Sequence, residues 1–492
     1  MDSVRFLLDG QIVCAENVPC TTTVLEYLRE GLRRTGTKEG CAEGDCGACT
    51  VVLGELSEDG SRVEYRAVNS CIRFLPTIDG LEVVTVESLL ASDGGLHPVQ
   101  QAMVDHHGSQ CGFCTPGFVM SLFALYLRNA APVREEVLET LSGNLCRCTG
   151  YRPIIEAGLR MGEYPAPSHW SRDTPALASR RDALLALRRD RALRLPGFVA
   201  PRTVDELAAE LESTPGALVL AGGTDVGLWV TKQLRELPAI VYVGAVAELK
   251  QIRRDGDVLE IGAAVSLTSG WRALVEEFPA LEEMARRFAS PPVCNSGTLV
   301  GNLANGSPIG DSLPVLMALG AELVLRRGTR TRSLALESFY LGYQRTALEV
   351  GEFVVGVRVP VAAAHSGCWI AAYKLSKRFD QDISAVAVAL RVEVSQERVV
   401  DARIAFGGMA AVAARAHACE RALIGASWSK ESVEAAVEKL AEDFKPLTDM
   451  RASSAYRLRA AGNLLRRFYL EHGGSIDPTR TAAAVAAAAV TG

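Results

Sequence analysis

The feature that most restricts how this 492-residue chain can fold is its cysteine pattern. Eight of its thirteen cysteines, Cys41, Cys46, Cys49, Cys71, Cys111, Cys114, Cys146 and Cys148, cluster between residues 41 and 148. Four residues separate Cys41 from Cys46, two separate Cys46 from Cys49, and Cys71 follows at a distance. This is the plant-type ferredoxin spacing for a [2Fe–2S] cluster, with three thiolates from one loop and a fourth from a later segment. Within CAEGDCGAC, Gly44, Gly47 and Ala48 let the backbone bend closely enough for N–H groups to face the sulfurs. The second quartet pairs Cys111-x2-Cys114 with Cys146-x-Cys148 near predicted helix ends, where each iron of a two-iron cluster could take two thiolates. A four-cysteine zinc site is the alternative reading of either quartet, although zinc quartets usually come as two well-separated Cys-x2-Cys knuckles and the uneven triplet of the first is poor evidence for them. Cys14, Cys20, Cys294, Cys368 and Cys419 read as small buried hydrophobes.

Around these cysteines the period of the sequence changes. VRFLL, the Asp9-Gly10 turn and QIVCA predict a β-hairpin, and Thr23 is placed to cap a helix over VLEYLREGL. With the strands TVVL and LEVVTVESLL, this makes an α+β module over residues 1–85. Residues 86–161 turn helical, with PVQQAMVDHH, PGFVMSLFALYLRN, VREEVLETLS and PIIEAGLR as four predicted helices. Residues 162–195 combine prolines with RRDALLALRRDRALR and predict a linker ending in an exposed helix with a solvated arginine face. Strands ALVLA, IVYVG, VLEIGAAV and AELVLR alternate with helices over 196–365, and a smaller α+β domain is expected over 366–475. Residues 476–492 form an Ala-rich tail expected to be weakly ordered.

A net charge of −6 gives no basic footprint for nucleic acid. No segment reaches the roughly 18 consecutive apolar residues of a membrane helix, and MDSVRFLLDG lacks a basic leader, so a cytoplasmic protein is expected. G-x-G-x-x-G and Walker A loops are absent, but two other glycine-rich turns stand out. ALVLA runs into Gly222, Gly223, Thr224 and Asp225, and SGTLVGNLANGSPIGDSLPVL contains Gly297, Thr298, Gly301, Asn302, Ser307 and Asp311. Either turn could present backbone N–H groups to a pyrophosphate, or serve only as a structural turn.

The stretches TKEGCAEGDCGACTVVL, LHPVQQAMVDHHGSQCGFCTPGFVMS and LSGNLCRCTGYRPI resemble the iron–sulfur part of the molybdenum hydroxylases, a family that includes xanthine dehydrogenase, aldehyde oxidase and carbon monoxide dehydrogenase. VLAGGTDV and TLVGN resemble the two FAD loops of its flavoprotein part. The resemblance implies a multidomain α+β protein. Its parts are a β-grasp ferredoxin-like module, a four-helix [2Fe–2S] module, an α/β FAD-binding domain of the vanillyl-alcohol-oxidase-like type and a C-terminal α+β flavoprotein domain. It implies two [2Fe–2S] clusters on the eight cysteines. It places FAD against Val219, Leu220, Ala221, Gly222, Gly223, Thr224, Asp225 and Val226, and against Thr298, Leu299, Val300, Gly301 and Asn302. Asp311 would contact the cofactor, Phe288 would lie against the flavin ring, Lys374 matches a lysine near FAD, and Val354 holds an apolar position usually occupied by leucine. Gln110 matches a glutamine beside the molybdopterin, and FYLGYQRT a loop near the nicotinamide. Ser384 and Ala385 follow Ile383 where vertebrate relatives carry lysine, a departure in the loop that governs acceptor access.

By the same resemblance, the order of modules is similar to the small subunit of bacterial members, with molybdopterin on a large partner subunit and two copies of each in a heterotetramer. Electrons would pass from the partner through both clusters to FAD and on to NAD as the diffusible acceptor. This chain would hold no catalytic acid, base or nucleophile. Hypoxanthine and xanthine are the expected substrates of the partner, with aldehydes or N-heterocycles as the enzyme alternative and a structural zinc protein as the alternative of another class.

Overall fold

Asp9 and Gly10 both take positive φ, +52° and +73°, the pair of left-handed angles that a two-residue hairpin needs. They join β1 (Val4–Leu8) to β2 (Gln11–Ala15), with Leu8 opposite Gln11. β3 (Thr50–Leu56), β4 (Val63–Asn69) and β5 (Glu82–Val84) complete a sheet of order β2-β1-β5-β3-β4, in which β1 and β5 run parallel. Thr23 caps Val24–Glu26 by accepting the Glu26 N–H at 3.1 Å, as the sequence suggests. The turn then widens over Tyr27–Gly31 to i→i+5 bonding, with Leu32 N–H on the Tyr27 carbonyl at 2.9 Å, so the expected regular helix is only partly realised. The computed structural model describes residues 2–91, 93–165, 169–170, 175–361 and 367–473. The tail expected over 476–492 lies outside them.

These residues divide into two compact units, Met1–Ala247 with Ser290–Gly297, and Glu248–Ala289 with Thr298–Gly492. In the first unit, α1 (Pro98–Asp105), α2 (Thr115–Arg128), α3 (Arg134–Leu141) and α4 (Arg152–Arg160) pack around Val99, Phe118, Leu122, Phe123, Val137 and Ile154, all fully buried. A Cβ on Gly158 would stand 2.9 Å from both Leu122 and Val137, which explains a glycine where α4 crosses its neighbours. A second sheet, β6 (Leu193–Leu195), β7 (Phe198–Ala200), β8 (Leu218–Leu220) and β9 (Ile240–Tyr242), has the order β6-β7-β9-β8, with β7 and β8 each parallel to β9.

The linker helix α5 (Pro175–Leu187) departs from its expected exposure. Leu184 and Leu187 are buried against Leu7. Arg180 lies 3.6 Å over the Trp170 ring and its Nε is 3.1 Å from Glu82, a carboxylate only 1% exposed. Just beyond the helix, Arg189 forks onto Asp79 at 2.6 and 3.0 Å. Sequence reasoning weighed the arginine run as a solvated face because its partners, Glu82 and Asp79, lie about 100 residues upstream.

In the second unit, β10 (Ile252–Asp255), β11 (Val258–Gly262), β12 (Glu322–Arg327), β13 (Arg330–Ala335) and β16 (Phe353–Pro360) form an antiparallel sheet of order β10-β11-β16-β12-β13, and β14 (Tyr340–Gly342) with β15 (Arg345–Thr346) form a small hairpin. β17 (Cys368–Leu375), β18 (Val386–Ser395), β19 (Arg398–Gly407) and β20 (Ala414–Arg415) make a second sheet, in that order. Val388, Leu390, Ile404 and Phe406 from this sheet share a core with Leu440, Leu465 and Phe468. The whole is a multidomain α+β protein with mixed and antiparallel sheets.

Two predictions follow from this packing. Leu184→Ala is expected to destabilise the first unit by about 2–5 kcal/mol, the cost of a buried Leu truncation, read from denaturant unfolding. The second concerns His97, which is fully buried between Phe123 and Tyr126 at centroid distances of 5.1 and 4.9 Å and accepts the Val99 N–H on Nδ1 at 3.2 Å. Burial pushes its pKa down to about 3. An unfolded His97 takes up a proton below about 6.5 while the folded one does not, so falling pH favours the unfolded chain. Stability is expected to drop by about 1.4 kcal/mol per pH unit below pH 6.5 from this group, and His97→Gln should flatten that part of the stability–pH curve.

Candidate functional site

The Cys41–Cys49 loop is shaped by left-handed residues at Ala42 (φ +54°), Gly44 (φ +83°) and Gly47 (φ +69°). This turns the N–H groups of Glu43 and Cys46 onto the Cys41 sulfur, both at 3.4 Å, while Asn69 Nδ2 reaches the Cys49 sulfur at 3.8 Å. A Cβ on Gly40 would stand 2.8 Å from the Cys46 sulfur. Cys49 and Cys71 are buried, at 1% and 3% exposure. The Cys41 sulfur interacts with those of Cys46 and Cys71, and that of Cys49 with Cys71. Thiols from Cys46 and Cys71 donate to Cys41 and hold its pKa far below the usual thiol range, and those of Cys46 and Cys71 are driven far above it by the same contacts. Four sulfurs so placed cannot all ionise without cationic charge among them, and thiolate donors ringed by N–H groups suit a [2Fe–2S] cluster. Among the described residues, no three Cys, His, Asp or Glu side chains gather where one ion could take them all. The four sulfurs instead form a linked row, Cys46 on Cys41, Cys41 on Cys71 and Cys71 on Cys49.

In the second quartet the sulfurs meet in pairs, Cys111 against Cys148 and Cys114 against Cys146. Cys114 immediately precedes α2, and Cys146 and Cys148 sit on the loop between α3 and α4. Tyr151, at φ +67°, accepts the Cys146 N–H on its hydroxyl at 3.0 Å, and Thr149 Oγ1 lies 3.2 Å from the Cys146 sulfur. Burial pushes the Cys114 thiol up to about 12, so its ionisation also calls for a metal. Cys111 and Cys148 are exposed, flanked by exposed Phe113 and Leu145, and Gln110 is exposed beside Cys111.

The two quartets are joined through backbone. Leu145, next to Cys146, donates its N–H to the Cys46 carbonyl at 3.0 Å. Asn144 Nδ2 donates to the Gly47 carbonyl at 3.1 Å and is itself fixed by the Ser121 hydroxyl at 2.6 Å. A Cβ on Gly47 would meet the Gly143 oxygen at 2.2 Å, and one on Gly117 the Gly47 oxygen at 2.1 Å.

Also in the first unit, α6 (Val204–Ser213) precedes β8, Val219 and Leu220 end β8, Ala221 through Asp225 form the first glycine turn, and Val226 opens α7 (Val226–Thr231). A Cβ on Gly222 would lie 2.2 Å from the Ser296 oxygen, and Gly223 has φ +73°, so this turn needs glycine at both positions. Burial raises the Asp225 carboxyl. α7 rests on the segment after Cys71, where a Cβ on Gly227 would meet the Ile72 carbonyl at 2.4 Å and Leu228 packs on Leu25, Cys49, Cys71 and Ile72.

In the second unit, Thr298 caps Leu299–Asn305 by accepting the Gly301 N–H at 2.9 Å, and Asn302 Oδ1 accepts the Ser312 hydroxyl at 2.6 Å. Leu299 and Val300 point into the core, at 0% and 2% exposure, so they shape this turn from beneath. Asp311, 5% exposed, accepts from Lys374 Nζ at 2.7 Å and from the Ser384 hydroxyl at 2.6 Å, and Lys374 also donates to the Arg287 carbonyl at 3.1 Å. Phe288 follows Arg287 and tilts against Trp271 at 5.4 Å, while the buried Trp271 Nε1 has no hydrogen-bond partner among the described residues. Val354 is buried on β16 opposite Leu325. The structure thus gathers Asp311, Lys374 and Phe288 around Arg287. Ser384, Arg287, Asn144 and Tyr151 were not found by sequence reasoning as supporting residues, because their partners stand 5 to 97 positions away.

Two thiolate quartets and two glycine turns on one α+β chain define an iron–sulfur flavoprotein. Four family models match in chain order: a 2Fe-2S iron-sulfur cluster binding domain (residues 6–75), a [2Fe-2S] binding domain (85–159), the FAD binding domain in molybdopterin dehydrogenase (192–362) and the CO dehydrogenase flavoprotein C-terminal domain (371–472). The xanthine dehydrogenase of Emericella nidulans is 33% identical over 95% of this chain and 38% of its own length. A solved carbon monoxide dehydrogenase chain from Hydrogenophaga pseudoflava is 31% identical over 55% of this chain and 94% of its own, with a TM-score of 0.51. Quinoline 2-oxidoreductase from Pseudomonas putida 86 matches the same shares at 26% identity, also with a TM-score of 0.51. The chain belongs to the molybdenum hydroxylase family and carries its electron-transfer domains, two of the 2Fe–2S type and one for FAD. It spans less than two-fifths of the length of the xanthine dehydrogenase it matches. Among the described residues, no helix is long and apolar enough to cross a membrane.

Lys374 and Asp311 are 3% and 5% exposed, so removing one partner leaves a buried uncompensated group. Lys374→Met is expected to destabilise the second unit by about 3–5 kcal/mol in denaturant unfolding, and adding Asp311→Asn should recover much of that loss.

Proposed function

We propose that this chain is the electron-transfer subunit of a xanthine dehydrogenase, working beside a molybdopterin-binding large subunit in a heterotetramer with two copies of each. Cys41, Cys46, Cys49 and Cys71 would hold one [2Fe–2S] cluster, and Cys111, Cys114, Cys146 and Cys148 the other. In the first unit, Val219 through Val226 would cradle the FAD pyrophosphate. In the second, Thr298 through Asn302, Asp311, Lys374, Phe288 and Val354 supply the groups that family resemblance assigns to FAD. When bound, these groups relay single electrons from hypoxanthine or xanthine oxidation on the partner and gather them in pairs for NAD.

The observation that carries this reading is the continuity of the first unit. The Cys146–Leu145 backbone is hydrogen-bonded to the Cys46 carbonyl at 3.0 Å. At the other edge of the ferredoxin-type loop, Ile72, covalently next to Cys71, touches the helix that leaves the first glycine turn. The chain thus runs in direct contact from one quartet to the other and on to the first glycine turn. The exposed end of this run is the Cys111 and Cys148 edge with Phe113 and Leu145, which suits a partner bringing the electrons. Identity to xanthine dehydrogenase over nearly the whole chain supports the substrate.

The test is anaerobic purification with any co-purifying large subunit. About four irons, matching sulfide and one FAD per chain are expected, with NADH-dependent dye reduction by this chain and xanthine-dependent NAD reduction by the complex. Zinc in place of iron would refute the cofactor assignment. Reduction of the complex by quinoline or aldehydes but not xanthine would replace the substrate and leave the relay.

A further inference from the structure

The ferredoxin-type loop is held from outside by the end of α7. Thr231 Oγ1 lies 2.7 Å from the Ala42 carbonyl oxygen, and Lys232 Nζ lies 3.1 Å from the Cys41 carbonyl oxygen and 3.5 Å from Glu43. Consecutive residues thus grip consecutive carbonyls. The Thr231 hydroxyl has a second acceptor within reach, the Gly227 carbonyl at 3.1 Å, but it has one proton to give and the Ala42 oxygen is nearer.

The Ala42 carbonyl belongs to the same planar peptide as the Glu43 N–H, the group that donates to the Cys41 sulfur at 3.4 Å. In a trans peptide the two bonds point in opposite directions, so holding the oxygen toward α7 aims the N–H at the thiolate. Ala42 needs that hold, because its φ of +54° is a left-handed conformation that alanine rarely adopts. The hydroxyl also polarises the peptide it binds, which strengthens the N–H as a donor.

Taking Cys41 as a cluster ligand, and so resting on the function proposed above, we infer that Thr231 is a positioning residue that sets the reduction potential of the ferredoxin-type cluster through the Ala42–Glu43 peptide. Lys232 is the second clamp on the same loop, and its positive charge acts in the same direction. Hydrogen bonds to cluster sulfurs favour the reduced, more negative state, so loosening this one lowers the potential. The effect is confined to one cluster, because the second quartet draws its own donors from the backbone N–H groups of Phe113, Cys148 and Thr149.

The test is a redox titration followed by electron paramagnetic resonance on the full chain, with the ferredoxin-type signal assigned as the one perturbed in Cys71→Ser. Thr231→Val removes the hydroxyl at nearly constant volume. Its ferredoxin-type signal is expected to shift to lower potential while the other cluster and the FAD content stay as in the unsubstituted chain. Thr231→Ser keeps the hydroxyl and is expected to restore the potential. Two signals that both stay in place in Thr231→Val, or that move together, would overturn the role of Thr231. An unsubstituted chain without two [2Fe–2S] signals would instead overturn the functional reading beneath it.

Discussion

The two cysteine-bearing modules meet because two glycines, Gly47 and Gly117, occupy no side-chain volume where their backbones cross. Gly47 presses on the Gly143 carbonyl, and Gly117, in the first turn of α2, presses on the Gly47 carbonyl. Any Cβ at Gly47 or Gly117 would fall within 2.2 Å of a backbone oxygen, which no rotamer change relieves. With the approach allowed, the polar groups of the crossing find partners: Leu145 N–H on the Cys46 carbonyl, Asn144 on the Gly47 carbonyl, Ser121 on Asn144. A buried junction with these groups unpaired would cost about 1–3 kcal/mol for each. The contact between quartets is therefore a consequence of backbone packing, with Asn144 as the side chain that bridges it.

The same device recurs where the glycine turn meets the ferredoxin-type loop. Gly227 lets α7 lie on the Ile72 carbonyl, and Leu228 then covers Cys49 and Cys71. Excluding water on that side strengthens the Asn69 N–H···S interaction at Cys49, because a lower local dielectric raises the value of the hydrogen bond. Packing and electrostatics here share a cause: the close approach that Gly227 permits brings Leu228 over Cys49 and Cys71.

Much of this was legible in the sequence because the relevant signals are local. The Cys41–Cys49 spacing, the Asp9-Gly10 turn, the Thr23 cap and the four helices of the second module each declare themselves within a few residues, and the structure has them. What was not legible is long-range. Nothing near RRDALLALRRDRALR announces that Arg180 will sit between Trp170 and Glu82, or that Leu184 will close over Leu7. Nor does anything near Ile383 announce that Ser384 will donate to Asp311, 73 positions away. Tyr27–Gly31 failed for another reason, since the widened turn uses the same residues a regular helix would and leaves no compositional mark.

The position of Ser384 bears on how the second unit tolerates change. Asp311 is buried with one cation and one hydroxyl as partners, and the cation is further held by the Arg287 carbonyl. Arg287 itself donates to the carbonyls of Lys374 and Phe379, so the loop after β17 and the segment ending at Phe288 are tied by reciprocal bonds. A lysine in place of Ser384 would put a second cation beside Asp311, where one carboxylate cannot balance two buried ammonium groups. The serine is thus the residue that the Lys374–Asp311 pair accommodates without further rearrangement. A cation in this loop would have to sit at a different position or bring its own carboxylate.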